Sequence, residues 1–212
     1  MDEIISLDQQ LLLALNGSDS IVLDTFFMAV TRTATWIPLF LFVAYAILRI
    51  KGWRELLLVL ACTALVVLIA DRFSSGLCKP LFHRLRPSHE PSLEGLVDLV
   101  GDYRGGLYGF ISSHAANTFG VATFITLCLR RKAVNIVCNL NNAVRSRIFL
   151  SKVSIALLFA WAVISSYSRI YLGVHYPGDI LAGSLCGVIT AFLVFYICFT
   201  PLARRMLSEP KA

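Results

Sequence analysis

The chain has 212 residues and a mass of 23.5 kDa, with 57% hydrophobic residues, only 15% charged ones and a mean hydropathy of +0.73. A water-soluble domain of this size carries about a quarter charged residues, so an ordinary soluble domain, a disordered chain, a collagen-like chain and a disulfide-stapled secreted fold are all excluded. The net charge of +6 would invite nucleic acid in a polar chain, but here the 19 Lys and Arg stand between long uncharged stretches, which is a membrane protein's arrangement and leaves no nucleic-acid partner.

The N-terminus holds Asp2 and Glu3 where a cleaved signal would be basic, so no cleaved targeting segment is expected. Residues 4–15 place Ile4, Leu7, Leu11, Leu12 and Leu15 at helical spacing, with Asp8, Gln9 and Gln10 on the other side, before Asn16-Gly17-Ser18 breaks the pattern. That spacing predicts an amphipathic helix lying on the membrane surface. Residues 21–31 are apolar but short, and are expected to form a second surface or re-entrant piece, with a sixth span as the alternative. Full spans are predicted at 36–50, 56–77, 107–129, 153–167 and 180–199, each near the length required by a hydrocarbon core of roughly 30 Å.

The fold class is therefore an all-α polytopic membrane bundle of five, alternatively six, transmembrane helices with an N-terminal amphipathic surface helix. Residues 1–212 are expected to form one unit, with surface pieces over 1–34, the bundle over 35–200 and a cytoplasmic tail over 201–212. The connections at 49–54, 130–152 and 200–212 carry three, six and three Lys/Arg. With five spans they share one face, which the positive-inside rule makes cytoplasmic. The N-terminus and the connections 78–106 and 169–179 then fall outside. Cys62, Cys128, Cys186 and Cys198 lie in apolar runs without CxxC spacing and read as small buried hydrophobes. Gly183 and Gly187 make a small-xxx-small pair for close helix approach, within the chain or between copies.

Basic residues on the outer face run against the charge rule, and they cluster. Lys79, Arg84 and Arg86 follow the second span, Arg169 ends the fourth, and His83, His89, His114 and His175 all map to the same face. Lys79 and Arg86 are seven residues apart, two helical turns, so a continuous helix would point both the same way before Pro87 stops it. Such a pair makes an anion site or a snorkelling pair at lipid headgroups. Ser112 or Ser113 is a natural N-cap for the next helix, whose free N–H groups suit phosphate, with His114 in the first turn beside them. Asp179 follows His175 by four residues across Pro177-Gly178, so its carboxylate can hold one imidazole nitrogen and leave the other free as nucleophile or base. A metal site of His114, His175 and Asp179 is the competing chemistry, disfavoured by the cations nearby. Between these groups Glu90, Glu94, Asp98 and Asp102 recur every four residues, which would form an acidic stripe if helical, either a solvated face or a headgroup-selecting lid.

Lys79 with Arg86-Pro87, then Ser112-Ser113-His114, then Ser168-Arg169 with His175 and Asp179 together resemble the three-part signature of the type-2 phosphatidic acid phosphatase superfamily, which comprises membrane lipid phosphatases and the related vanadium haloperoxidases. The resemblance implies that Lys79, Arg86 and Arg169 grip phosphate oxygens while Ser112 and the Ser113 backbone add hydrogen bonds. It further implies that His175 is the nucleophile, Asp179 its orienting partner and His114 the acid for the leaving lipid oxygen, with no metal or other cofactor. Ile111 and Ser113 stand where the family usually has Pro and Gly, which puts the fit of the headgroup in question.

The expected activity is hydrolysis of a phosphate monoester or pyrophosphate of a membrane lipid, through a phosphohistidine, at the outer face of a bacterial inner membrane. Undecaprenyl pyrophosphate, phosphatidylglycerophosphate and lipid A are the substrates that the resemblance offers. A non-enzymatic lipid-phosphate carrier or anion channel is the alternative, one that has no need of His175 paired with Asp179.

Overall fold

Each long apolar run becomes a helix, because backbone polar groups in lipid have no water to bond and must be satisfied within the segment. The computed structural model describes residues 2–18, 20–131 and 142–207. In chain order these form α1 (Asp2–Leu15), α2 (Ile21–Val30), α3 (Ile37–Lys51), α4 (Trp53–Asp71), α5 (Lys79–Phe82), α6 (Ser113–Arg130), α7 (Asn142–Tyr171), α8 (Pro177–Leu193) and α9 (Thr200–Leu207). Wider π-helical turns at Arg72–Cys78 and Val194–Phe199 join α4 to α5 and α8 to α9, so Trp53–Phe82 and Pro177–Met206 are continuous rods. Part of the basic connection, 132–141, and the end of the tail, 208–212, lie outside the described residues.

Among the described residues, four stretches are long and apolar enough to cross a membrane: Thr33–Lys51, Trp53–Phe82, Val144–Tyr171 and Pro177–Met206. Outward side chains such as Leu41, Leu57, Leu181 and Leu185 are exposed, as a lipid-facing surface requires. The expected span at 107–129 is helical only from Ser113 onward. Residues 107–109 instead pair with Arg84–Arg86, with Arg86 N–H donating to the Leu107 carbonyl and Gly109 N–H to that of Arg84. The helix starts late because the Ser112 hydroxyl accepts from Ala115 N–H and caps it there. More polar than the four rods, α6 packs against α4, α7 and α8 at the centre of the bundle, burying Thr118, Thr123 and Phe124.

Two other expectations change. The helix after the second span ends at Phe82, with His83 left-handed at φ 48°, so Lys79 and Arg86 do not share a helix. The acidic segment is not helical either: it forms short 3₁₀ turns at Pro87–His89, Pro91–Leu93 and Val100–Asp102. Gly95 and Gly101, at φ +76° and +60°, break its helical period.

Gly183 and Gly187 face α6, within the chain. A Cβ at Gly183 would run into the Ser112 carbonyl, and one at Gly187 into that of Ala116. Gly187→Ala is therefore expected to destabilise the bundle by about 1–3 kcal/mol, since the obstruction is backbone and has no rotamer to change. Thermal unfolding in detergent should show a lower midpoint, and an unchanged midpoint would contradict this packing.

The N-terminal helices dock at the end of the bundle that carries the clustered His and Arg. Asp8 and Leu12 of α1 turn inward, Leu12 into a cluster with Leu93, Tyr176 and Ile180, while Ile4, Leu7 and Leu11 are exposed. The ten residues of α2 span about 15 Å, half of a hydrocarbon core. Its Phe27 packs 4.2 Å from the Tyr171 ring, and Asp24 accepts a 2.7 Å bond from the Tyr171 hydroxyl. At the opposite end of the bundle Arg131 pairs with Glu55 at 3.0 Å, and Lys51 donates to the Arg131 carbonyl.

Candidate active site

The π-helical turn before α5, the long connection from α5 to α6 and the short turn from α7 to α8 converge on the N-terminus of α6. The turn from α7 to α8 is tight: Leu172 N–H returns to Ser168, and the amides of Val174 and His175 both donate to the Arg169 carbonyl. Gly173 makes this possible at φ +68°, where a Cβ would strike Val97 and the Asp98 carbonyl. The turn drives His175 into the interior, where it is 1% exposed. Its Nδ1 lies 3.3 Å from Asp179 Oδ2, which also accepts the Tyr176 N–H at 3.1 Å. Ser112 N–H donates to the Asp179 carbonyl at 3.1 Å, so the starts of α6 and α8 are bonded together.

Hydrogen bonding to the carboxylate makes Nδ1 the protonated nitrogen and leaves the Nε2 lone pair free. Burial, reinforced by the positive charges of Arg86, Arg169, Lys79 and Arg84, holds the His175 imidazole well below its ordinary pKa, so the ring is neutral at physiological pH.

The cations approach from different elements. Arg86 is 8% exposed and donates from Nε to the Tyr108 carbonyl at 3.2 Å and from a terminal nitrogen to Val174 at 3.4 Å. Arg169, 2% exposed, donates to the Tyr103 hydroxyl at 3.0 Å, with that ring 5.3 Å from its guanidinium. Its Nε is buried without a partner among the described residues. A buried cationic donor left unpaired is costly unless an anion completes it. Lys79 reaches the site from α5 and donates to Ser113 Oγ at 2.9 Å.

Ser113 occupies the position where glycine is usual in the resembled signature. Its hydroxyl, beyond meeting Lys79, bonds to Ser74 at 2.9 Å and Ser75 at 2.8 Å, both presented by the π-helical turn of Arg72–Cys78. The extra Cβ is thus absorbed into a hydroxyl cluster around Lys79. Ser112 is fully buried, with its hydroxyl committed to the cap. The first-turn amides of Ser113 and His114 have no acceptor inside the helix.

His114 also lines a cavity of about 540 Å³ that runs between α3, α4, α6 and α7, with Trp36, Phe40, Val59 and Trp161 as apolar walls and Asn117 and Ser165 as polar ones. The site therefore has a cationic side at Lys79, Arg86 and Arg169, the last two buried, and a side at His114 that opens on the apolar-walled cavity. His83 and His89 stay apart, the first edge-on to Tyr108 and the second against the Ser88 hydroxyl. Among the described residues no three His, Cys, Asp or Glu side chains are grouped to hold a metal, and both Asp179 oxygens are already engaged.

Tyr103, Ser74 and Ser75 escaped the sequence reading, as did the part played by Asp8 and Arg84. Asp179 Oδ1 accepts from Arg84 at 2.9 Å, and the same guanidinium reaches Asp8 at 2.6 Å. The periodicity held a signal for Asp8: residues 8, 12 and 16 share one helix face, and Asn16 donates to the Tyr171 carbonyl at 2.8 Å.

A buried neutral imidazole on a carboxylate, ringed by cations beside a helix N-terminus, is an arrangement suited to binding and attacking a phosphate group. Residues 52–202 match the sequence model of the PAP2 superfamily. A lipid A 4'-phosphatase of Bacteroides thetaiotaomicron is 34% identical over 205 residues, covering 96% of this chain and 82% of that protein. A second, from Porphyromonas gingivalis, is 34% identical over 197 residues, covering 93% and 75%. The crystal structure of a transmembrane PAP2-type phosphatidylglycerolphosphate phosphatase from Bacillus subtilis superposes with a TM-score of 0.63 at 19% identity, covering 97% of this chain and 89% of that one. Aquifex aeolicus LpxE gives 0.56 at 22%, covering 89% and 94%, so both share the fold. The chain belongs to the PAP2 superfamily and is an integral-membrane lipid phosphatase.

Proposed function

We propose that the chain hydrolyses a phosphate monoester of a lipid A-type glycolipid at the outer face of a bacterial inner membrane, through a phosphohistidine on His175. The observation that carries the chemistry is the free Nε2 of buried His175 facing Lys79, Arg86 and Arg169, the last with an unpaired Nε. Similarity to two lipid A 4'-phosphatases along nearly the whole chain supports the substrate class.

A monoester dianion repels nucleophiles, so the three cations and the first-turn amides of α6 offset its charge before attack. His114 is held neutral in the empty site by burial and by Arg169, Arg86 and Lys79, and takes up a proton when the bound dianion offsets those charges. His175 Nε2 bonds to phosphorus in line with the ester oxygen, the P–O bond to the lipid breaks, and protonated His114 gives that oxygen its proton. Water then attacks the phosphohistidine, His114 takes its proton, and inorganic phosphate leaves as the N–P bond breaks. The 540 Å³ cavity beside His114 suits the lipid portion of the leaving alcohol. A carrier or channel gives the His175–Asp179 pair no task.

Purified protein is expected to release one phosphate per molecule from bis-phosphorylated lipid A, in EDTA as well as without it, and to be inhibited by vanadate, whose five-coordinate form matches the transition state. Faster release from phosphatidylglycerophosphate or undecaprenyl pyrophosphate would reassign the substrate. Activity lost in EDTA and restored by zinc or magnesium would overturn the metal-free steps.

The outward orientation rests on the Lys/Arg of the 49–54, 130–152 and 200–212 connections. In a cysteine-free background, Glu94→Cys should react with an impermeant thiol reagent on intact cells and Arg54→Cys should not. The reverse pattern would invert the topology.

A further inference from the structure

Asp179 is fully buried, and its two oxygens are divided between two tasks. Oδ2 faces the His175 ring and the Tyr176 amide, while Oδ1 accepts from Arg84 at 2.9 Å. Neutral His175 supplies a hydrogen bond but no counter-charge, and a buried carboxylate needs one. Lys79, Arg86 and Arg169 face the phosphate position and are matched by the substrate's own charge when it binds. Arg84, on the far side of the carboxylate, remains to balance Asp179 throughout the cycle.

Arg84 is itself held from three directions. Its second terminal nitrogen reaches Asp8 Oδ2 at 2.6 Å, its guanidinium lies 4.1 Å from the centre of the Tyr176 ring, and the other Asp8 oxygen accepts Gly178 N–H at 2.8 Å. The planar fork is therefore fixed between two carboxylates, a geometry that suits arginine and that a lysine point charge does not reproduce. Asp8 lies on α1, outside the 52–202 region that defines the family match.

We propose that Arg84 is a positioning residue for Asp179 and His175, and that Asp8 on α1 acts through it, which makes the N-terminal surface helix part of the hydrolytic machinery. The proposal rests on the roles given above to His175 and Asp179. The groups that face His175 are Lys79, Arg84, Arg86, Arg169, His114 and Asp179. Removing Arg84 subtracts one positive charge from that set, so the imidazole takes up a proton at higher pH. Since only the neutral ring attacks, the acid limb of the pH profile moves upward.

The test compares Arg84→Gln, Arg84→Lys, Asp8→Asn and the Asp8→Asn/Arg84→Gln double variant of the full chain in detergent, with a short-chain lipid phosphate as substrate and His175→Ala in parallel. Arg84→Gln should lower kcat by roughly 10- to 100-fold with little change in KM, and should shift the acid limb of kcat/KM to higher pH. Arg84→Lys should restore the pH profile and only part of kcat. Asp8→Asn should lower kcat less, and the double variant should be no slower than Arg84→Gln alone, because Asp8 acts through Arg84.

Wild-type kcat and pH profile in Arg84→Gln and Asp8→Asn, with His175→Ala inert, would overturn the proposal while leaving the roles of His175 and Asp179 standing. Additive losses in the double variant would also overturn it. Turnover by His175→Ala would remove the underlying assignment and this inference with it. If thermal unfolding shows that Arg84→Gln does not fold, Arg84→Lys and Asp8→Asn decide the matter, and wild-type kcat in both overturns the coupling.

Discussion

His175→Ala is expected to abolish phosphate release and, with it, any covalent phosphoprotein, a loss of roughly 10⁴-fold or more, since no other group of the site replaces a missing nucleophile. Quenching in alkaline detergent during turnover of radiolabelled lipid phosphate should find label on the wild-type chain, stable to alkali and lost on later acid treatment as a phosphoramidate is, and none on the variant. Asp179→Asn should fall between the two. It leaves the ring in place but removes the carboxylate oxygen that lies 3.3 Å from Nδ1 and fixes its proton, and it strands Arg84 against an amide. Trapped label on His175→Ala would locate the nucleophile elsewhere.

His114→Ala is expected to fail in a way that depends on the leaving group. A general acid contributes about 10² to 10⁴ in rate, and its loss is felt most when the departing oxygen is a poor leaving group. The sugar or alkyl alcohol of a lipid monoester is of that kind; an aryl phosphate is not. The ratio of wild-type to variant kcat/KM should therefore be large for the lipid and near unity for the aryl ester, while phosphoprotein still forms from the latter. An equal loss on both substrates would assign His114 to phosphate binding, and the acid would have to be sought elsewhere along the cavity.

Much of this was readable from residue types and spacing, and the exceptions have physical causes. The four apolar rods follow from hydropathy because lipid-facing helices have no other composition open to them. Lys79, Arg86, His114, Arg169, His175 and Asp179 stand out because charged and titratable groups at a membrane edge are costly without a task, and Ser112 stands out as an N-cap. The seven-residue spacing of Lys79 and Arg86 predicts alignment over two helical turns, which the structure does not have. In the structure His83 leaves the helix, and Arg86 is placed by strand-like pairing with residues 107–109 that no local pattern announces. The acidic repeat from Glu90 to Asp102 has the right period for a helix, but Gly95 and Gly101 take positive φ and fold it into turns. Asp8 was assigned to the solvent side by its polarity alone. Its partner Arg84 lies 76 residues away, and only the tertiary fold brings a partly buried ion pair to that face of α1.

The contact between α6 and α8 has a mechanical meaning. Glycines at 183 and 187 let the two backbones touch, and the Ser112 amide is tied to the Asp179 carbonyl directly above them. The amides that would cradle the anion and the imidazole that would attack it thus ride on one lever, with no hinge between them. Helix starts joined by a direct hydrogen bond resist relative displacement, so bending and tilting of the rods should change the distance from nucleophile to phosphorus little. Adaptation to different lipids is then left to parts outside that lever, namely the 87–106 turns above it and the α3 wall of the cavity beside it. Exchanging those parts between relatives is the natural way to redirect such a catalyst without retuning its chemistry.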